Sequence, residues 1–141
     1  MIVVDTNVLS EAMKPADIRS PRAFAWWREQ PVETLFTTTI TLAEILAGIA
    51  ILPEGKRRAL KQEAAEQIFT TVFAQRILPF DDKAARHYAA IITIRRKRGR
   101  SSDPFDIQIA AIAKAHGMAV ATRNVPHFEE IGIEVIDPWA H

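Results

Sequence analysis

Met1-Ile2-Val3-Val4-Asp5-Thr6-Asn7-Val8-Leu9-Ser10 opens the chain with a β-branched run that stops at an acid. Ile2 to Val4 suits a buried parallel strand, which is covered on both faces and needs no alternating polar residues. Asp5 then marks the strand's carboxyl end, and its simplest role there is to cap a helix that begins near Asn7. Outward from this start, short apolar runs alternate with longer helical segments. Arg22 to Gln30 is amphipathic and carries Trp26 and Trp27, whose side chains diverge by roughly 100° on a helix and do not easily share one core. Leu35 to Thr37 reads as a strand, and Thr39 opens an apolar helix to Leu52 that Pro53 ends. Glu54 to Val72 predicts a further helix, Arg76 to Phe80 a short strand, and Asp81 or Asp82 caps a helix through about Lys97.

Ser102-Asp103-Pro104 supplies a cap and a proline at the first helical position, so a helix runs from there to His116 and stops at Gly117. Ala119 to Thr122 and Ile133 to Ile136 complete the strands. This alternation implies an α/β fold with a mostly parallel central sheet flanked by helices on both faces. No repeat, linker or low-complexity stretch divides residues 1–141, which predicts one domain.

Composition narrows the chemistry. Of the 141 residues 48% are hydrophobic, enough for a sizeable core, and a net charge of +1 with 25% charged residues excludes an acidic or basic disordered tail. The apolar run from Ile40 to Leu52 is too short for a bilayer and contains Glu44, and the N-terminus lacks a basic signal region, which predicts a cytoplasmic protein without a membrane span. Cysteine is absent. Disulfides, zinc-thiolate sites and thiol nucleophiles are thereby excluded, leaving oxygen and imidazole groups. A near-neutral charge does not announce nucleic-acid binding, so only a local patch can argue for it.

Three acids invite a common explanation. Glu44 is the only charged residue between Thr37 and Pro53, with Ile40, Ala43, Ala47 and Ile51 at helical spacing around it. Taken singly, it fits a helix's solvent edge, Asp5 fits a cap, and Asp106, three residues after Asp103, fits the acidic first turn of a capped helix. Taken together, they lie at a strand end, within one helix and at the start of another, and such positions meet in the crevice at the carboxyl edge of a parallel sheet. Two carboxylates about 5 Å apart at an effective dielectric of about 20 repel by roughly 3 kcal/mol. A divalent cation removes that penalty, and all-oxygen ligation favours Mg²⁺ or Mn²⁺ over zinc. Such a cluster suits phosphodiester hydrolysis by an activated water, with no protein nucleophile. His87, His116, His127 and His141 show no metal-ligand spacing and read as surface or packing residues, with only His127 near the proposed site in sequence.

Arg95-Arg96-Lys97-Arg98-Gly99-Arg100 places five positive charges just before the third acid. They read either as a solvated helix end complementing the dipole or as a phosphate-binding strip. Arg123 is a second candidate, open also to a role as an acid's counterion.

These motifs, in order, resemble those of PIN-domain nucleases, in the branch of the VapC- and FitB-like toxins. Ile2 through Ser10 is similar to the first motif. Thr38-Thr39-Ile40-Thr41-Leu42-Ala43-Glu44-Ile45-Leu46-Ala47-Gly48 resembles the helix of the second acid, and Asp106 through Ala113 that of the third. Val120-Ala121-Thr122-Arg123-Asn124 resembles the closing strand motif, and Asp137-Pro138-Trp139 the family's ending. The resemblance implies a metal-dependent endoribonuclease in which Asp5, Glu44 and Asp106 hold Mg²⁺ or Mn²⁺, with Thr6 and Asn7 supporting Asp5 through hydrogen bonds. Asp103 is left as the cap. Many members carry a fourth acid where this chain has Asn124, whose neutral oxygen could bind metal, hold a coordinated water or leave a second metal site weak. The resemblance further implies a homodimer and a small antitoxin that blocks the acidic pocket; the tryptophans read either as core and boundary packing or as the margin of an apolar groove for the antitoxin's helix.

Three rival readings remain at the sequence level, of which a purely structural protein-interaction domain leaves the three acids without a shared purpose. A catalytically weak or inactive PIN-fold RNA-binding or regulatory module is motivated by Asn124. A haloacid-dehalogenase-type phosphatase with Asp5 as nucleophile expects a second acid where this chain has Asn7.

Overall fold

Val3 and Val4 point to opposite faces of their strand, and each is fully buried in a different core. The computed structural model describes all 141 residues and places this strand, β1 (Ile2–Val4), at the centre of the sheet. It pairs on one side with β2 (Leu35–Thr38) and on the other with β4 (Ala119–Ala121). β3 (Ile77–Leu78) lies outside β2 and β5 (Val135–Ile136) outside β4, giving the order β3-β2-β1-β4-β5 with every pair parallel. The expected α/β fold is therefore observed.

Seven helices flank the sheet: α1 (Thr6–Met13), α2 (Pro21–Glu29), α3 (Thr39–Ala50), α4 (Lys56–Thr70), α5 (Asp82–Lys97), α6 (Pro104–His116) and α7 (Val125–Phe128). One core gathers Val4, Leu9, Trp26, Leu35, Phe69 and Phe73; the other gathers Val3, Ile91, Ile107, Val120 and Phe128. The period-two alternation of β1 and β4 divides these sets, and each fully buried Val or Leu contributes roughly 1.5–3 kcal/mol. Trp26 is buried, while half-buried Trp27 meets Phe73 edge-on at 6.1 Å. Both tryptophans therefore serve the core and its boundary, and neither lies open on the surface.

The caps follow the sequence. Asp81 Oδ1 accepts from Ala84 N at 2.9 Å, and Asp103 Oδ1 accepts from Phe105 N at 2.9 Å and Asp106 N at 3.2 Å. Gly117 closes α6 at φ 64°, a conformation that penalises any Cβ. Both edge strands are shorter than expected. β3 ends before Pro79, which has no N–H to extend a ladder, and β5 begins only after a turn through Glu130 and Gly132 at φ 64° and 86°. α7 escapes a periodicity reading because it is one turn long with Pro126 inside it. No helix is long and apolar enough to cross a membrane.

Candidate active site

The chain passes from β1 to β2 and β3 on one side of the sheet, then returns to lay β4 and β5 on the other. The reversal falls between β1 and β4, where a crevice opens beyond the carboxyl ends of adjacent parallel strands. Asp5 stands at that point. Its amide continues the ladder to Ala121 O at 3.0 Å, and its side chain, in a residue 1% exposed, caps α1.

Both Asp5 oxygens are held. Oδ1 accepts from Thr6 N at 2.7 Å, and Oδ2 accepts from Asn7 Nδ2 at 2.9 Å and Thr122 Oγ1 at 2.7 Å. Thr6 thus supports Asp5 through its backbone. Its hydroxyl serves a different acid, donating to Glu44 Oε1 at 2.8 Å, with Thr41 Oγ1 also 3.1 Å away. Beyond the expected support of Asp5, one residue thus ties the first two acids together. Asn7 keeps the expected role, and its Oδ1 also accepts from Arg123 N at 3.0 Å, fixing the turn after β4.

Asp106, 8% exposed in the first turn of α6, completes the set. Burial pushes the Asp5 carboxyl up to about 6, with the charges of Asp106 and Glu44 adding to the rise against the opposing hydrogen bonds. Glu44 is also raised, by desolvation first and by the charges of Asp106 and Asp103. The three acids therefore feel one another across the crevice, and none forms an ion pair with lysine or arginine. Glu11 provides the contrast. It too is buried, but Lys14 at 2.6 Å and the Ser20 amide at 2.6 Å hold its carboxyl below the usual range, so it needs no further cation.

The donor set fits a hard divalent ion: three oxygen acids, no lysine or arginine counterion, and no hydrogen bond on Glu44 Oε2 or Asp106 Oδ1. No three acidic or imidazole side chains yet close on one point as a ready-made cage. Asn124 makes no side-chain hydrogen bond and is exposed at the start of α7. Two contributors went unassigned in the sequence reading. Thr122 joins Asp5, and His127 Nδ1 lies 2.5 Å from Asp106 Oδ2. Thr122 lies within the quoted closing motif, whereas nothing in the spacing of His127 points to Asp106.

The basic segment is divided by the fold. Arg95 is buried, with Nε donating to Ser102 Oγ at 2.9 Å and Nη2 to Ser101 O at 2.9 Å. It braces the loop into α6 and is removed from the phosphate-binding candidates, because its guanidinium is not at the surface. Arg98 and Arg100 pair with Glu130 at 2.8 and 3.5 Å, which leaves Arg96 and Lys97 exposed without an acidic partner. Arg123 is exposed, its guanidinium 5.0 Å from the Trp139 ring centroid.

Fold and site together define a doubly wound α/β protein whose switch point carries acids without a lysine or arginine counterion. The PIN domain family matches residues 2–133, and the chain belongs to that family. It is similar to VapC ribonuclease Y4jK of Sinorhizobium fredii, at 42% identity over 99% of this chain and 98% of that one. Toxin FitB of Neisseria gonorrhoeae is 38% identical over 99% of each chain. The crystal structure of FitAcB from the same organism superposes with a TM-score of 0.92, 38% identity and complete coverage of both chains.

Proposed function

We propose that this chain is a metal-dependent endoribonuclease, the toxin of a toxin–antitoxin pair, with Asp5, Glu44 and Asp106 as its catalytic acids. The observation that supports this reading is Asp5 at the β1/β4 switch point, its carboxyl raised by burial and by the charges of Asp106 and Glu44, with no lysine or arginine counterion on any of the three. The similarity to proteins named VapC ribonuclease and Toxin FitB supports RNA as substrate and a toxin's role. Asp5, Glu44 and Asp106 would hold Mg²⁺, or Mn²⁺ in its place. When bound, the ion supplies an acidified water and neutralises charge developing on the phosphate. Thr6, Asn7 and Thr122 fix the Asp5 carboxylate, and Thr6 turns Glu44 toward the same crevice. Arg96, Lys97 and Arg123 remain the cations free to meet the RNA backbone.

Beside the acids, a groove of about 630 Å³ runs from Thr6 and Glu44 along Ile45, Ile49 and Leu52 to Ile18 and Leu60, with Lys14, Arg57 and Lys61 along it. Its apolar floor and basic margins suit an amphipathic helix of the antitoxin, which would thereby lie over the crevice. This seat lies among α1, α3 and α4; neither tryptophan lines it, though Ile45 and Ile49 share the core cluster of Trp26. A second copy of the chain as partner rests on the family resemblance.

The deciding experiment is cleavage of total cellular RNA by antitoxin-free protein with Mg²⁺, Mn²⁺ or EDTA. Discrete fragments that vanish with EDTA and with Asp5→Asn are expected. Absence of cleavage under every metal would overturn the nuclease reading in favour of an RNA-binding module.

A further inference from the structure

The turn that follows β4 reaches both buried site acids. Thr122, its first residue, donates to Asp5 Oδ2 at 2.7 Å, and the same hydroxyl accepts from Asn124 N at 3.0 Å. The His127 amide donates to Asn124 O at 2.9 Å, closing the single turn of α7. Phe128, fully buried against Val120 and Ile107, pins that turn to the sheet. His127 itself has 44% of its side chain exposed, and its one side-chain hydrogen bond is Nδ1 to Asp106 Oδ2 at 2.5 Å. With a carboxylate as acceptor, Nδ1 is the atom that carries the proton.

We propose that His127 is a positioning residue for Asp106: by donating from Nδ1 to Oδ2 it fixes the carboxylate's rotation so that Oδ1 is presented to the crevice shared with Asp5 and Glu44. The argument rests on the nuclease reading of that crevice and adds a residue to it. Asp106 needs such a partner more than the other acids do. Asp5 has three donors and Glu44 has Thr6, whereas no other side chain or amide donates to the Asp106 carboxylate. An acid with a free χ2 spreads its oxygens over many directions, and a hydrogen-bonded partner selects one. α7 is thus a device that carries His127 to α6, with Phe128 supplying the anchorage and His127 the contact.

The test uses the full chain at one fixed pH, with Mn²⁺ binding followed by the free-ion signal in electron paramagnetic resonance and RNA cleavage followed separately. His127→Ala is expected to weaken Mn²⁺ binding by about 10- to 100-fold, the range for losing an outer hydrogen-bond partner of a metal ligand. It should lower kcat correspondingly while KM for RNA stays within about twofold. His127→Asn, which places an amide N–H near the position of Nδ1, should recover most of both losses. Urea unfolding midpoints of the two variants should match the wild type. Wild-type Mn²⁺ affinity and kcat in His127→Ala would overturn the proposal, and so would a His127→Asn protein as impaired as His127→Ala. Asp5→Asn separates this from the underlying reading: if that variant binds Mn²⁺ and cleaves like the wild type, the nuclease site itself falls. Mn²⁺ uptake that needs Asp5 without any cleavage would remove the catalytic reading, and the Mn²⁺ titrations alone would then decide for or against His127.

Discussion

The acidic crevice and the arginine-rich junction between α5 and α6 treat charge in opposite ways. Asp5, Glu44 and Asp106 are far apart in sequence, and the strand order brings them together with no lysine or arginine to balance them. Arg95 to Arg100 is contiguous, yet one member is buried as a brace and two are paired with Glu130. Contiguous charge is the easier pattern to see, but the fold puts three of its five members to structural use, with Glu130 as their one acidic partner. Dispersed charge gathered by topology is left without a lysine or arginine partner, and carboxyls raised by burial in this way cluster at functional sites.

The sharpest break in this comparison is catalytic. Asp5→Asn and Asp106→Asn should each lower RNA cleavage by more than about 100-fold, beyond the usual range for residues that only orient a metal ligand. Arg96→Ala should stay within about tenfold. Cleavage rates on one defined RNA under saturating Mg²⁺ measure both. If the arginine variant lost more activity than the aspartate variants, the ranking of the two regions would be reversed.

Stability against pH gives the next largest effect. In the unfolded chain Asp5 ionises near 3.8, whereas in the folded, metal-free protein its proton is held up to about 6. Between these values the folded state binds more protons than the unfolded one, so this group makes stability fall as pH rises, by on the order of 3 kcal/mol in all. Glu44, also raised, acts with the same sign, while Glu11, lowered by Lys14 and Ser20, acts with the opposite sign at lower pH. Urea unfolding in EDTA from pH 4 to 7 should therefore show the wild type losing stability relative to Asp5→Asn. Mg²⁺ should reduce that relative loss. A difference between the two proteins that did not change with pH would show that Asp5 titrates as in the unfolded chain.

The crevice was legible in the sequence because its parts are tied to element boundaries. Asp5 ends an apolar strand, Glu44 interrupts an apolar helix, and Asp103 with Pro104 fixes where α6 starts and hence where Asp106 sits. Residues whose partners are set by tertiary packing were not legible. Arg95 looks like its neighbours in sequence, and only the packing of α5 on α6 turns it inward. His127 reaches Asp106 through a one-turn helix that periodicity cannot detect, and the double use of Thr6 depends on α3 lying beside α1. The edge strands were overextended because apolar residues persist where Pro79 and the positive-φ turn through Glu130 interrupt the ladder.

Within the basic region the comparison sharpens at Arg95. Arg95→Ala removes the donors to Ser101 O and Ser102 Oγ and should lower stability by about 1–3 kcal/mol, read as a shift in urea midpoint. Arg95→Lys should recover little, since a single ammonium does not reproduce two bonds from a planar fork. Equal stability of the alanine variant and the wild type would mean that the loop into α6 needs no brace.

Arg96 and Lys97 carry the smallest effect and the finest distinction. Both are exposed and free of acidic partners, so Arg96→Ala and Lys97→Ala should change stability by less than about 0.5 kcal/mol. If they meet phosphates, each substitution should reduce the salt slope of RNA binding by about 1, measured with Asp5→Asn protein so that the RNA stays intact. Arg98 and Arg100 must first leave Glu130, so their alanine variants should change that slope less, and Glu130→Gln should raise RNA affinity by releasing them. An unchanged slope in all four alanine variants would make the whole segment a solvated helix end and leave Arg123 as the remaining candidate for the RNA backbone.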